Sequence, residues 1–393
     1  MKILVVCQYY YPENFTVTPI CESLAARGHD VLVVTGKPNY GYGRILEGYE
    51  KIREETLNGV RVRRVNLYPR KKSRISIIRN YLSFWRNSKR YVGRLKEEFD
   101  VVYSMSLSPI ISVSAANKYA KKHSIPHVLH CLDLWPESVL ITHALRKNSL
   151  SYALLYRWSK SIYSKASKIL LSSPSFADYF RDVLNIDNVP LVYTPQPPLL
   201  AKKEGEVEFS ATYNLVYAGN IGTLQLVESL VKAMPKAREK VDVHLHLIGM
   251  GARTEAVKRL IEELQLEDSV FFYGTKPRGV TAGFYEQSTG IVISLVNEGA
   301  VGKTIPNKIV SAFVHGKPFL ACIGGDGRKE LEAAGGSIFA ENESPEAFAE
   351  AIVRLCSLSE EERKTLGENN ARYFEAVYSF DKVIDRLESE LKI

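Results

Sequence analysis

The sequence predicts two successive doubly wound α/β domains facing a central cleft, on three observations. Its 393 residues exceed one ordinary core and suit two domains of under about 200 residues each. Short, nearly continuous apolar runs recur in two series with helical periodicity between them. A proline-rich break, Pro195-Gln196-Pro197-Pro198, then the polar Lys202-Lys203-Glu204-Gly205-Glu206, separates the series. Proline continues neither a helix nor a central strand, so this stretch reads as the linker.

In chain order, the first series places strands at 2–7, 31–35, 61–65, 100–104, 126–130, 167–173 and 190–194. Met1 to Cys7 has the look of a signal sequence. It is short, lacks a cleavage site and leads into Gln8-Tyr9-Tyr10-Tyr11-Pro12, so it reads as a buried first strand. Residues 14–27 carry a helical period, and Gly28 falls where a helix C-cap is expected. The second series places strands at 213–218, 243–248, 269–273, 290–296, 318–323 and 336–340. Runs apolar on both faces imply parallel strands covered by helices on both sides. The boundaries are 1–198, 199–370 and a helical, amphipathic 371–393. Such sheets bind ligands beyond the carboxyl ends of their strands, which is where site residues are sought.

Composition narrows the class. An apolar fraction of 45% and a charged fraction of 24% are those of a soluble globular protein. No apolar run reaches the roughly 18 residues that span a bilayer. Five scattered cysteines fit neither a disulfide framework nor a zinc site and point to a reducing compartment, the cytoplasm. Neither an Asp-x-Asp flanked by strand apolars nor a His/Cys metal spacing occurs, so no metal and no cofactor are expected.

The most informative segment runs from Asn297 to Pro318, NEGAVGKTIPNKIVSAFVHGKP. It follows an apolar strand and turns into a helix ending at Gly316. Amides at that helix start, near Pro306 and Asn307, and the charges of Lys303 and Lys308 make an anion site suited to a diphosphate. The plain alternative is a surface loop with two lysines. Gly219-Asn220-Ile221-Gly222 follows the first strand of the second series, where glycine lets backbone approach a phosphate or sugar. Lys276 and Arg278 follow another strand there; they are candidates for diphosphate charge, and the same turn is equally readable as a solvated loop.

In the first domain, His130 and Asp133 end a strand, where a base could activate an acceptor hydroxyl. Asp133 ranks first; His130 reads as readily as a packed core histidine. Glu13, in the first strand-to-helix loop, is a candidate for acceptor hydroxyls or for helix support.

These motifs resemble the family-4 group of retaining GT-B glycosyltransferases, and more closely the branch building bacterial O-antigen and capsule repeats, which includes fucosamine-type transferases. The residues carrying the resemblance are Pro306-Asn307-Lys308-Ile309, His315-Gly316-Lys317-Pro318, Tyr217-Ala218-Gly219-Asn220-Ile221-Gly222, Asp133-Leu134-Trp135-Pro136-Glu137-Ser138 and Gly28-His29-Asp30-Val31. The resemblance implies metal-independent transfer with retention from a nucleotide sugar, UDP-linked by preference. It implies a polyprenyl-diphosphate-linked sugar as acceptor and a last helix that packs back on the first domain. One departure stands out. The wider family carries two glutamates eight positions apart, the second holding the donor ribose; their places fall here on Lys303 and Ser311, with Glu298 a candidate for the first role. Rival readings are a UDP-sugar 2-epimerase of the same architecture and a non-catalytic nucleotide-sugar-binding module.

Between Arg61 and Lys96 lie 13 Lys and Arg and no acid, which exceeds the net charge of +8 and leaves −5 for the remainder. Ile75 to Lys96 reads as a helix with a broad apolar arc (Ile75, Ile78, Leu82, Trp85, Val92 and Leu95, joined by Tyr81, Phe84 and Tyr91) opposite Arg79, Arg86, Arg90 and Arg94. Aromatics beside arginines suit an anionic membrane surface, here the inner leaflet. The same pattern also fits an ordinary domain helix with a solvated basic face. Nucleic acid, the other polyanion, has no recognition motif here and is not expected as a partner.

Overall fold

A computed structural model of the chain describes all residues except 72, 142–144, 148, 300 and 301. Ala300 and Val301, in the loop before Pro306, therefore lie outside the described residues. The chain divides into two units, Met1–Pro197 with Phe380–Ile393, and Pro198–Ser379.

The first unit holds eight strands: β1 Lys2–Val6, β2 Asp30–Gly36, β3 Glu54–Leu57, β4 Val60–Val65, β5 Val101–Ser106, β6 His127–Cys131, β7 Lys168–Leu171 and β8 Leu191–Tyr193. They lie in the order β3-β4-β2-β1-β5-β6-β7-β8. Every pairing is parallel except β3 with β4. The alternation of β1 shows why both faces must be covered. Ile3 and Val5 pack with Ile20 and Leu24 of the Val17–Ala26 helix, while Leu4 and Val6 pack with Phe84 and Val92 of the Arg74–Arg94 helix. Gly28, at φ +87°, turns the chain from the first helix into β2.

The second unit holds β9 Tyr213–Ala218, β10 Val243–Ile248, β11 Val270–Gly274, β12 Gly290–Ser294, β13 Phe319–Cys322 and β14 Ser337–Phe339. Their order is β11-β10-β9-β12-β13-β14, all parallel. Its core gathers Leu215, Leu245 and Val292 from the strands with Leu230, Met234, Phe348 and Ile352 from flanking helices.

The expected terminal segment 371–393 splits. Residues up to Ser379 stay with the second unit, because the Tyr373 and Tyr378 hydroxyls both donate to Glu330 and Tyr378 stacks on Phe313 at 6.0 Å. Only Phe380–Ile393 belongs to the first unit. There Ile384, Leu387 and Leu391 of the Phe380–Leu391 helix join the β1 core, and Arg27 pairs with Asp385 at 2.6 Å and Glu388 at 3.0 Å. All five cysteines are free and buried. Among the described residues, no helix is long and apolar enough to cross a membrane.

Candidate active site

In the second unit the chain winds outward from β9 through β10 to β11, then returns to lay β12 on the other side of β9. The loops after β9 and β12 therefore straddle a switch in winding direction, the place where doubly wound sheets hold ligands. They are stitched together: the Ser294 hydroxyl donates to the Gln225 carbonyl at 2.6 Å, and the Val296 amide donates to the Leu224 carbonyl at 2.9 Å.

The β9 loop is the Gly219–Gly222 turn. Gln225 Oε1 accepts from the Gly222 amide at 3.1 Å and from Asn220 Nδ2 at 3.0 Å, and the Tyr217 hydroxyl donates to the Asn220 carbonyl at 2.7 Å. A Cβ on Gly222 would stand 2.6 Å from Asn220 Nδ2 and 2.7 Å from Gln225 Oε1, so a side chain there would displace the two side chains that brace the turn. From the β12 side, Lys308 reaches toward this turn: its Cδ lies 4.0 Å from where a Gly219 Cβ would be. Its Nζ donates to the Ser294 carbonyl at 3.1 Å and sits 4.9 Å from the Tyr217 ring centroid. Burial lowers the Lys308 ammonium to about 8, and no carboxylate acts to restore it. A cation kept in a low-dielectric place without a counter-ion is suited to an anionic guest.

Other sequence-predicted donor residues fare differently. The helix opened by Pro306 runs only Asn307–Phe313, so its dipole is short and the fixed charge at its start is that of Lys308. Lys303 lies in the preceding turn, which presses on Gly325, whose φ is +56°. The Ser311 hydroxyl is engaged in both roles: it donates to Asn307 Oδ1 at 3.1 Å and accepts the Leu199 amide at 3.1 Å. Ser311 thus ties its helix to the chain at Leu199, which counts against the ribose contact expected of it. Glu298 is exposed, with its carbonyl accepting the Gly302 amide at 3.0 Å. Lys276 and Arg278 are exposed at the end of β11, the edge strand, two strands from the switch.

In the first unit the switch lies between β1 and β5. Glu13, after β1, is buried, and its Oε1 accepts the amides of Asn39 at 2.7 Å and Tyr40 at 2.6 Å. Burial raises its carboxyl above the ordinary range, with those amides opposing. Glu13 thus fixes the loop after β2. Asp133, after β6, is half-buried; burial raises its carboxyl to about 6, opposed by the Ser108 hydroxyl and the Leu134 amide. The surrounding loop is braced by Trp135 Nε1 donating to the Ser108 hydroxyl at 2.7 Å and by Glu137 receiving the Tyr152 and Tyr179 hydroxyls. A carboxylate poised near neutrality at a strand end is suited to accept a proton.

His130 is not such a group. Its Nε2 donates to the Thr194 carbonyl at 3.1 Å, so Nδ1 accepts from the Tyr103 hydroxyl at 3.0 Å, and burial lowers the ring to about 4. Both nitrogens are occupied in the core. His130 is a tether between β6 and the strand end at Thr194, which corrects the catalytic expectation.

The Arg74–Arg94 helix also departs from expectation. Its buried face is Ser76, Asn80, Phe84, Ser88 and Val92, so Phe84 is core rather than a surface contact. Tyr81 is half-buried and accepts from Arg70 Nη1 at 2.8 Å. Ile75, Ile78 and Leu82 face solvent, as do Arg79, Arg86, Arg90 and Arg94.

Sequence reasoning missed Gly249 and Gly251. Gly249 has φ +131°, and a Cβ there would overlap the Gly219 carbonyl, while one on Gly251 would overlap that of Ile221. The Gly-Met-Gly spacing directly after the second strand of the series was the available signal. Among the described residues, no group of three or more His, Cys, Asp and Glu side chains could hold a metal ion.

Known proteins agree with this architecture. Residues 14–197 match the glycosyl transferase 4-like domain, and residues 212–357 match the glycosyl transferases group 1 domain. The chain is 25% identical over 283 residues to the probable glycosyltransferase WbjE of Pseudomonas aeruginosa, covering 68% of this chain and 70% of that one. Sucrose-phosphate synthase of Thermosynechococcus elongatus superposes with a TM-score of 0.73 at 16% identity, over 99% of this chain and 97% of that one. Anabaena HepE in complex with UDP superposes at 0.69 and 13% identity, over 100% and 99%. With both halves matched in order and on the same fold, the chain is a glycosyltransferase of the two-domain GT-B type.

Proposed function

We propose that the protein transfers a sugar, with retention and without a metal ion, from a UDP-linked donor to a saccharide carried on a polyprenyl diphosphate, in the building of a capsule or O-antigen repeat. The observation that carries the donor half is Lys308, an ammonium held without a carboxylate beside the Gly219–Gly222 turn at the β9/β12 switch. UDP as the nucleotide is supported by the UDP found in HepE. Retention, metal independence and the class of pathway rest on the motifs shared with the O-antigen and capsule branch. Asp133 is the group proposed to accept the acceptor proton.

The lipid half, and a place on the cytoplasmic face of an anionic membrane, is supported by an exposed apolar surface built from two helices. Ile75, Ile78 and Leu82 of the Arg74–Arg94 helix and Leu150, Leu154 and Trp158 of the Leu150–Tyr163 helix are each 41% to 78% exposed. Trp85 and Trp158 meet edge to face at 6.2 Å and join the two stripes. The same two helices carry the exposed Arg79, Arg86, Arg90, Arg94 and Arg157, and residues 138–177 contain no acid. Apolar side chains rimmed by cations match a bilayer with anionic headgroups.

The test is incubation of the purified protein with radiolabelled UDP-, GDP- and dTDP-sugars and a membrane extract. Label from a UDP-sugar entering the lipid fraction is expected. Interconversion of the free nucleotide sugar would instead make the protein an epimerase, and binding without turnover a nucleotide-sugar-binding module.

A further inference from the structure

We propose that Arg70, Tyr9 and Tyr81 form an oxyanion subsite that takes the phosphate of a lipid-carried acceptor, an inference that rests on the lipid-linked reading above. Arg70 Nη1 donates to the hydroxyls of Tyr9 at 3.2 Å and Tyr81 at 2.8 Å. Its guanidinium lies 5.1 Å from the ring centroid of Tyr40 and 5.4 Å from that of Tyr81. The groups acting most strongly on it are the three phenols; no carboxylate is among them.

Donor counting shows what the set lacks. A guanidinium has five N–H groups, and the two on Nη1 are used by the phenol oxygens. Among the described residues, the N–H groups on Nε and Nη2 have no acceptor, and they are not among the buried, unpartnered atoms. Both phenol oxygens are accepting, so the hydrogens of Tyr9 and Tyr81 also remain to be given. Three N–H and two O–H donors are therefore gathered around one positive charge, a set that complements a phosphate, which arginine binds as a fork.

The frame is rigid. The Arg70 amide donates to Asn39 Oδ1 at 2.9 Å, which also accepts Asn80 Nδ2 at 3.0 Å. Gln8 Nε2 donates to Asn80 Oδ1 at 2.7 Å and to the Tyr9 hydroxyl at 3.3 Å. Tyr9 stacks on Phe15 at 5.0 Å, with Tyr40 edge-on to both. Gln8, Asn39 and Asn80 are buried, so the hydroxyls and guanidinium are held before any ligand arrives.

Position identifies the guest as a phosphate joined to an apolar chain. Tyr81 borders Ile78 and Leu82, two members of the exposed stripe, on the same turn of the same helix. The Asp133 carboxylate acts electrostatically on the Tyr81 hydroxyl, so the cradle neighbours the group proposed to activate the acceptor hydroxyl. A phosphate held here would place a chain along Ile78 and Leu82 and the sugar toward Asp133.

Equilibrium binding of geranylgeranyl diphosphate tests the assignment, with geranylgeraniol and inorganic pyrophosphate as controls. R70M should weaken geranylgeranyl diphosphate binding roughly 30-fold or more, Y81F about fivefold, with R70K between wild type and R70M. Geranylgeraniol binding should not respond to any of them. Melting temperature and UDP binding serve as controls that the variants fold, and Y81F and R70K keep the test alive should R70M not fold. Binding unchanged in R70M and Y81F overturns the cradle. Pyrophosphate bound as tightly as the prenyl diphosphate overturns the lipid assignment in favour of a soluble phosphate. If prenyl diphosphate binding depends on Arg70 while no sugar reaches lipid from any donor, the proposal of a lipid-carried acceptor for transfer fails and the phosphate subsite stands.

Discussion

Lys308 gives opposite signs for stability and for donor binding, which separates a functional lysine from a structural one. Its folded value of about 8 lies below the 10.5 of a free lysine, and burial is the cause. The charged form is therefore disfavoured by the fold at every pH below 8, and stability is recovered as pH rises from 8 towards 10.5. At 1.36 kcal/mol per pH unit that gap is about 3 kcal/mol. Solvent reaching the partly exposed side chain, and loss of the bond to the Ser294 carbonyl, reduce it to about 1–2 kcal/mol. K308M should then raise the melting temperature at pH 7 by a few degrees. Donor binding should move the other way. A charge-assisted contact to a diphosphate is worth about 2–3 kcal/mol, so K308M should raise the KM for the donor, or lower kcat/KM, roughly 30- to 150-fold.

The wild-type pH profile carries the same signature. Lys308 is about nine-tenths protonated at pH 7 and about one-tenth at pH 9, so donor affinity should fall about tenfold between them. K308R, always charged, should flatten that limb even where its planar head fits less well. The assay is UDP release against donor concentration from pH 6.5 to 9.5, beside thermal denaturation of each variant. A K308M protein that melts lower and keeps its donor KM would show that Lys308 is only a structural contact, and the argument would be refuted.

Three further outcomes are expected. D133N should lower kcat about 10²- to 10⁴-fold, and wild-type activity should fall about tenfold per pH unit below 6 as Asp133 is protonated, since a base must be ionised; a rate flat from pH 7 to 5 would remove Asp133 from that role. H130Q should lower the melting temperature by the equivalent of about 1–3 kcal/mol while the folded protein keeps kcat within a few-fold, because His130 is spent on Tyr103 and Thr194; a thousandfold loss of kcat at unchanged stability would restore it as a catalyst. The triple variant I78E/L82E/L154E should abolish flotation with anionic liposomes without changing UDP binding, and unchanged flotation would show that the two-helix surface is not the contact.

The strands were legible because a parallel sheet covered on both faces buries each strand along its length: β1 and β2 carry near-continuous apolar runs, and β5 and β6 are buried throughout with Ser104, Ser106, His127 and His130 among their apolar residues. β3 was not, since Glu54-Glu55-Thr56-Leu57 is short, charged and at the sheet edge. Its signal was the next dipeptide: Asn58 and Gly59, at φ +47° and +81°, form the two-residue turn that pairs β3 antiparallel to β4. The split of the terminal segment was hidden for a different reason. Tyr373 and Tyr378 hold it through Glu330, more than 40 residues away, and no local period records that.

The same distinction runs through the site. Where a loop's position follows from the strand before it, as for Gly219, Asn220 and Asp133, sequence placed the residue at a strand end, and it placed Lys308 at the start of the helix that follows the β12 loop. Whether that residue is free for chemistry depends on partners remote in sequence. His130 is consumed by Thr194 and Tyr103, and Ser311 by Leu199, 112 positions away. The Arg74–Arg94 helix makes the point most sharply. Its wheel shows apolar residues over half the circumference, so hydrophobicity alone does not say which half is inside. The fold turns Ser76, Asn80 and Ser88 inward, where Asn80 bonds Gln8 and Asn39, and leaves Ile75, Ile78 and Leu82 outside. Each inward polar group needed a partner that only the folded chain supplies. The inner face is therefore mixed: Phe84 and Val92 pack on β1 beside the polar network of Asn80, while Ile75, Ile78 and Leu82 stay on the surface, where the proposed lipid contact would lie.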